Sequence, residues 1–445
     1  MAVVSSLVLA VGAAVFVSVV DLTPPPENGV LRWPHLSAVS APEPFTGPAA
    51  EAPMPTADGL AAVLDPLLDS SALDGDLSVS VRDGLTGDEL YGRGSETALI
   101  PASSTKAATA AAVLATRGSA YRIPTRVVAG EDGRVVLVAG GDVTLTEDGD
   151  GFYHGAAELS DLAEQVLTAL NGESPATLVV DTSVFAADDG VAPGVAAADV
   201  RDGYTAQVTP LMLDGGRVDK DGPDSPSARH GDPTRHAADT FAALIGAGEV
   251  VAGTAPDGAT ELGVVYSPTM QRLSEYAMLT SDNLLTDALA RQAALATGEP
   301  GSFAGGAAAT MRVLADLGLP VDGMVLKDGS GLSKDNRLSA GLLASLVSVA
   351  ASGEHPELSG LAATMAVAGH SGSLWHRFDD DRAAHGEVRA KTGTLSKVSS
   401  LTGMVVDADG RWLTFAVIVN DRGNLFEAEA AIDAFATVLA ECGCR

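Results

Sequence analysis

Cysteine is almost absent from this 445-residue chain: only Cys442 and Cys444 occur, in Glu441-Cys-Gly-Cys-Arg445. With no disulfide framework the fold must rest on its core, and two thiols are too few for a structural zinc site. The pair can close a small ring, stay free or bridge two chains, and it carries no catalytic role. Aromatic residues are also scarce at 4%, yet 46% apolar residues is ordinary for a globular protein. Basic residues are outnumbered, 27 against 58 acids for a net charge of −31, and no basic run occurs. A nucleic-acid partner is excluded on that ground. Lysine is the scarcest charged residue, with six in all (106, 220, 327, 334, 391 and 397), and the chain has no internal repeat.

Residues Ala2 to Val20 carry no charge and are almost wholly apolar. At about 1.5 Å per helical residue such a run spans a hydrocarbon core of about 30 Å. Residues 1–22 are therefore expected to be a signal peptide or membrane anchor, with the remainder outside the cytoplasm, on the cell-envelope side. Residues 23–56, with Pro24-Pro25-Pro26 and Ala41-Pro42-Glu43-Pro44, read as a disordered Pro/Ala-rich linker. Globular sequence follows. Leu77 to Val81 alternates with period two, turns at Asp83-Gly84 and returns through Glu89 to Tyr91, a strand–turn–strand unit. Pro101 then announces a helix that carries Ser103 and Lys106 and ends near Gly118. Between Lys106 and Ser281 lie 174 residues, enough for an inserted unit, assigned to 127–264 within a host domain of 57–126 and 265–445. In the insertion, Asp148/Asp150 and Asp219/Asp221/Asp224 lack the spacing and terminal Glu of a calcium loop. They read as solvated loops, and His230 and His236 as surface residues. Glu387 to Ala390 reads as a strand entering Lys391-Thr392-Gly393-Thr394, followed by two further antiparallel strands and a closing helix from Leu425.

Ser103-x-x-Lys106, Ser281-Asp282-Asn283 and Lys391-Thr392-Gly393 stand in that order along the chain. Each alone is weak, since Ser-x-x-Lys is commonly a helix cap and a solvated lysine. Together they use two of the six lysines, each in an apolar context, and the triple is the signature of penicillin-binding proteins and class A β-lactamases. The chemistry explains each residue type. Ser103 attacks a carbonyl carbon once a base takes its proton. Lys106, one turn away, is that base, and burial beside the second cation Lys391 is expected to lower its pKa. Ser281 relays a proton between the lysines and the leaving amine. Asn283 offers its amide to substrate and to Lys106. The Lys391 strand presents an edge to an extended peptide, with Thr392 and Thr394 hydroxyls for a terminal carboxylate and Gly393 keeping the edge clear. The backbone N–H groups of Ser103 and Thr394 form the expected oxyanion hole.

Further text accompanies these motifs: Leu137-Val-Ala-Gly-Gly-Asp142, Asp328-Gly-Ser-Gly-Leu-Ser-Lys-Asp-Asn-Arg337, Gly372-Ser-Leu374 after His370, and Val388-Arg-Ala-Lys-Thr-Gly-Thr-Leu395. On these residues the chain, from about Ala61 to its end, resembles the D-alanyl-D-alanine carboxypeptidase/endopeptidase family of class C low-molecular-mass penicillin-binding proteins. The long insertion between the first two motifs is that family's hallmark and argues against a plain β-lactamase. The resemblance implies an α+β transpeptidase/β-lactamase-like domain, a five-stranded antiparallel sheet flanked by helices plus a helical lobe, with no metal or organic cofactor. It implies removal of the terminal D-Ala from peptidoglycan stem peptides, or cleavage of D-Ala cross-links, through an acyl-enzyme that β-lactams also form. The family commonly carries two inserted domains, and 174 residues is short for both, which implies a reduced second one.

Two other readings compete. A serine β-lactamase or esterase on the same domain needs a Glu to activate the deacylating water, for which Glu357 is a poor candidate explained equally by a helix surface. A non-catalytic wall-binding or β-lactam-sensing ectodomain calls for a signalling region, which does not precede Ala2 in this sequence.

Overall fold

The computed structural model describes residues 51–187, 190–222, 225–378 and 383–445. The apolar run Ala2 to Val20, the linker up to residue 50 and Asp224 lie outside the described residues. Among the described residues no helix is long and apolar enough to cross a membrane.

Period-two patterning builds the main sheet. Its strands run in the order Ala366–Val367, Arg389–Leu395, Val398–Val406, Trp412–Asn420, Asp76–Asp83 and Glu89–Arg93, every neighbouring pair antiparallel. That is one strand more than the expected five, the addition being the two-residue edge Ala366–Val367. Alternate residues serve two cores. Val79, Val81, Leu401, Phe415, Val417 and Val419 face the helices Ala57–Leu68 and Leu425–Glu441. Met404, Ala416 and Ile418 face the opposite core, which includes the helix Ala340–Ser352. Burial on both faces leaves the central strands with almost no exposed side chains.

The helical lobe lies on that second face. Thr105–Arg117 is buried along its first ten residues, which small side chains permit: Ala107, Ala108, Ala110, Ala111 and Ala112 let the helices Asn283–Ala296 and Phe303–Asp316 approach closely. The helix ends at Gly118, as its left-handed-side φ of 80° requires. Ser103 itself is not in the α-helix but in a 3₁₀ turn, Ala102–Ser104, that feeds it.

The insertion has a sheet of its own. Glu249–Ala252, Thr177–Asp181 and Val135–Val138 pair in parallel, and Arg122–Ala129 and Glu261–Thr269 continue the sheet antiparallel. Helices Leu159–Ala169 and Pro233–Ile245 pack on one face around Leu162, Val166, Phe241 and Ile245. A parallel ribbon of Asp142–Leu145 and Leu211–Leu213 lies alongside. Because the entering strand Arg122–Ala129 and the leaving strand Glu261–Thr269 are partners, the insertion closes on itself. Thr269 then caps the helix Met270–Leu279, which delivers the chain to Ser281. Cys442 and Cys444 are joined as a disulfide, and the Cys444 carbonyl accepts from Thr56 N at the start of the first helix.

One buried ion pair fixes the turn between the first two strands. Asp83 Oδ1 accepts from Leu85 N and Thr86 N (2.9 and 2.7 Å), while Arg411 Nε donates to Oδ2. Burial pushes the Asp83 carboxyl up, but Arg411 and the two N–H groups hold it below the usual range. Removing one partner of a buried pair leaves the other uncompensated. Asp83→Ala is therefore expected to cost about 3–5 kcal/mol in urea unfolding. A loss below about 1 kcal/mol would show that the pair is not structural.

Candidate active site

The nucleophile segment is wedged between strand and loop. Ala102 takes φ 48°, a region non-glycine residues avoid, and its carbonyl accepts from Thr105 Oγ1 at 2.9 Å. Gly331 (φ 84°) packs on the same carbonyl so tightly that a Cβ there would lie 1.9 Å from Ala102 O. On the other side, a Cβ at Gly393 would meet Ser400 Oγ at 2.2 Å, Pro101 O at 2.8 Å and Ser103 N at 3.0 Å. Glycine at 393 is thus what lets the Lys391 strand pass against the Ser103 backbone. Ser400 Oγ donates to Pro101 O (2.7 Å) and shares a hydrogen bond with Ser104 Oγ (2.9 Å), pinning the turn to the sheet.

The three motifs, far apart in sequence, converge on Ser103. Lys106 Nζ lies 3.0 Å from Ser103 Oγ and donates to Asn283 Oδ1 (2.7 Å) and the Ser330 carbonyl (2.6 Å). Two of its tetrahedral positions are therefore fixed by acceptors and the third faces the nucleophile. In the neutral amine that third position is a lone pair. Lys391 Nζ donates to Ser281 Oγ (3.0 Å) and to the Thr392 carbonyl (2.9 Å). Asn283 Nδ2 donates to the Tyr204 carbonyl at 2.9 Å. The threonine hydroxyls have protein partners: Thr392 Oγ1 donates to Ser373 Oγ (2.7 Å) and Thr394 Oγ1 to Glu429 Oε1 (3.3 Å). A cavity of about 540 Å³ opens over this cluster, lined by Ser103, Ser281, Asn283, Leu332, Thr394 and Arg422, with Asp199 and Tyr204 from the insertion. A larger, apolar cavity of about 720 Å³ beside Phe303, Met311 and Met324 contains none of these groups.

Both lysines are completely buried. Burial lowers Lys106 to about 8, against the pull of the carboxylates Asp287, Asp328 and Asp282, which raise it. Lys391 has no carboxylate to offset its burial, and the Lys106 charge depresses it further, so it falls well below the ordinary lysine value. Lys106 is lowered chiefly by desolvation, and the repulsion between the two ammonium groups, which is reciprocal, opposes charging both at once.

Several participants escape motif reading. Asp287 Oδ1 accepts from Gly329 N and Ser330 N (both 2.9 Å) and so aims the Ser330 carbonyl at Lys106. Burial and the neighbouring Asp328 push the Asp287 carboxyl up. Asp328 in turn binds Gly331 N, Ser333 N and Asn336 Nδ2. A sequence signal existed: Asp287 lies four residues beyond Asn283, hence on the same helix face, in an otherwise apolar run. Glu357 pairs with His355 at 3.0 Å, at a half-exposed position away from the cavity. His230 and His236 stack at 4.0 Å between ring centroids, and among the described residues no group of three metal-ligating side chains occurs.

Known proteins resemble the chain over most of its length. The profile of the family described as D-Ala-D-Ala carboxypeptidase 3 (S13) matches residues 60–236 and 223–441. A carboxypeptidase of Mycobacterium tuberculosis is 39% identical over 432 residues, 92% of this chain and 92% of its own. Carboxypeptidase DacB of Mycolicibacterium smegmatis is 38% identical over 458 residues, covering 98% and 97%. Among solved structures, penicillin binding protein 4 from Haemophilus influenzae shares the fold, with a TM-score of 0.69 at 20% identity over 84% of this chain and 98% of that one.

The electrostatics predict a pH dependence. Lys106 accepts the Ser103 proton only when neutral, so the acylation rate should rise with pH through an inflection near 8. An inflection near 10, the range of a solvated lysine, would contradict the assignment of Lys106 as the base.

Proposed function

The chain belongs to the D-Ala-D-Ala carboxypeptidase 3 (S13) family, and from that premise we propose how its site removes D-Ala from peptidoglycan stem peptides. The observation that carries the reading is the Lys106–Ser103 contact, with the two other positions of Nζ committed to Asn283 Oδ1 and Ser330 O. The substrate enters as an added strand along Arg389–Leu395, its scissile carbonyl over Ser103 and its oxygen toward the N–H groups of Ser103 and Thr394. Ser103 Oγ gives its proton to neutral Lys106 and bonds to the carbonyl carbon of the penultimate D-Ala. The C–N bond then breaks. The departing amine takes a proton from Ser281 Oγ, held by Lys391 Nζ at 3.0 Å, and Ser281 recovers one from the Lys106 ammonium, so the proton taken from Ser103 ends on the leaving amine and Lys106 is neutral again. Water later attacks the ester with Lys106 again as base, which regenerates Ser103. A β-lactam, carrying the same reactive carbonyl in a ring, acylates Ser103 by the same steps but keeps its leaving amine tethered.

Magnitudes favour this division of labour. At pH 7 a lysine titrating near 8 is neutral roughly a tenth of the time, against less than about a thousandth for one at 10.4. The β-lactamase reading finds no support in the cavity, because no glutamate lines it beside Ser103 among the described residues. Ser103→Ala is expected to abolish D-Ala release from a diacyl-D-Ala-D-Ala peptide, a fall of more than about a thousandfold. Mass spectrometry of muropeptides should show loss of one alanine with the parent chain and none with the variant. Release at an unchanged rate would remove Ser103 as nucleophile.

We place the reaction outside the cytoplasm, where peptidoglycan lies, with Ala2 to Val20 as the exporting or anchoring segment. Alkaline phosphatase fused after Pro55 should be active in cells. An inactive but intact fusion would contradict export.

A further inference from the structure

The central residue of Ser281-Asp282-Asn283 has no part in the chemistry above, yet its carboxylate is held by three donors. Asp282 Oδ1 caps the helix Asn283–Ala296 by accepting from Leu285 N at 3.0 Å. Its other oxygen, Oδ2, accepts from Tyr153 OH (2.7 Å) and Arg217 Nη2 (3.0 Å), both supplied by the insertion. Arg217 Nη1 also donates to Tyr153 OH (3.0 Å) and to the Asp214 carbonyl (3.1 Å), closing a three-membered ring of partners. The guanidinium lies 3.5 Å from the centre of the Phe152 ring. All three side chains are buried, Tyr153 at 2%, Arg217 at 4% and Asp282 at 3% exposure. The turn that presents Arg217 is shaped for the purpose: Gly215 has φ 62°, and a Cβ there would lie 2.8 Å from Tyr153 OH and 2.9 Å from Arg217 Nη1.

Burial would push the Asp282 carboxyl up, but the charges of Arg217 and Arg229, the Leu285 N–H and the Tyr153 hydroxyl hold it down at about 2. The anchor is therefore ionised throughout the working pH range. Immediately before it, Ser281 takes φ 55°, a conformation a serine does not hold without support. Immediately after it, Asn283 is tied to the insertion as well, through the Tyr204 carbonyl. The back of the motif is thus gripped by the insertion while its front meets both lysines.

We propose that Arg217 and Tyr153 are positioning residues for the reaction: by clamping Asp282 they hold Ser281 on Lys391 and Asn283 on Lys106, so the insertion is a working part of the acylation machinery. A shift of about 1 Å at a reacting group can cost on the order of a hundredfold in rate, which makes such a clamp kinetically visible. The claim rests on the serine acylation of the preceding section, and its test separates the two.

The full chain and its Arg217→Met, Arg217→Lys and Tyr153→Phe variants would be followed by stopped-flow acylation with a fluorescent penicillin, with thermal unfolding in parallel. Arg217→Met is expected to lower the limiting acylation rate about ten- to a hundredfold, and Tyr153→Phe, which removes the hydroxyl's bonds to Asp282 and Arg217 but keeps the salt bridge, about three- to tenfold. Arg217→Lys, which keeps the charge but not the fork, should fall between Arg217→Met and the parent chain. The dissociation constant of the initial non-covalent complex should stay within about twofold, a split that general loosening of the cavity would not produce. Arg235→Ala, at an exposed ion pair elsewhere in the insertion, should match the parent chain. If Arg217→Met does not fold, Tyr153→Phe decides, since it preserves the packing. Folded variants that acylate at the parental rate, or that lose binding with the limiting rate intact, overturn the clamp. A parent chain that is not labelled on Ser103 counts against the proposed function instead.

Discussion

Two lysine side chains without solvent contact, Lys106 and Lys391, approach the same nucleophile turn from a helix and from a strand. Placing two ammonium groups out of water costs several kcal/mol each if both stay charged. The protein resolves this by treating them unequally. Lys106 has three carboxylates within electrostatic reach and three oxygen acceptors, so it titrates at about 8 and can both hold and release a proton. Lys391 has only a hydroxyl and a carbonyl, and its amine is pushed well below the ordinary lysine value. Much of the surrounding architecture follows from that asymmetry. The loop Asp328 to Asn336 is folded around its own aspartate and brings the Ser330 carbonyl to Lys106, while the alanine-rich helix lets its neighbours close over the lysine stem.

Close approach is the second constraint. A base, a relay serine and an edge strand can share one nucleophile only if the backbones carrying them nearly touch. Gly393 and Gly331 are where that contact occurs, one on each side of the 3₁₀ turn. The strained φ values of Ala102 and Ser281 fall on the two turns that present the reactive hydroxyls. Strain is tolerated there because the flanking structure over-determines both turns, through Ser400 and Thr105 for one and the Arg217–Asp282 clamp for the other.

Much of this was legible in the residues. Period-two alternation located the strand at Leu77 to Val81, and the scarcity of lysine singled out the two that the proposed mechanism uses. Short motifs carry chemistry because reacting groups must be particular residue types, so Ser103, Lys106, Ser281, Asn283 and Lys391 could be named before any fold was known. What escaped was relational. How far burial lowers Lys106 depends on carboxylates contributed from positions 282, 287 and 328, whose proximity only the fold creates. The 3₁₀ turn at Ser103 could not be told from the first turn of a helix by spacing alone, and the two-residue edge strand at Ala366 is too short for any periodicity. Arg217 and Tyr153 belong to no motif, and their partner Asp282 lies 65 and 129 positions further on.

The unequal titration of the two buried lysines is the claim on which the rest depends, and the small number of lysines makes it directly measurable. Side-chain NMR of the chain labelled only at lysine, followed against pH with Lys106→Arg and Lys391→Arg variants for assignment, would read each amine separately. The account predicts that Lys106 titrates near 8 and that Lys391 titrates well below the ordinary lysine value. Two lysines that both remain charged to about pH 10 would contradict it.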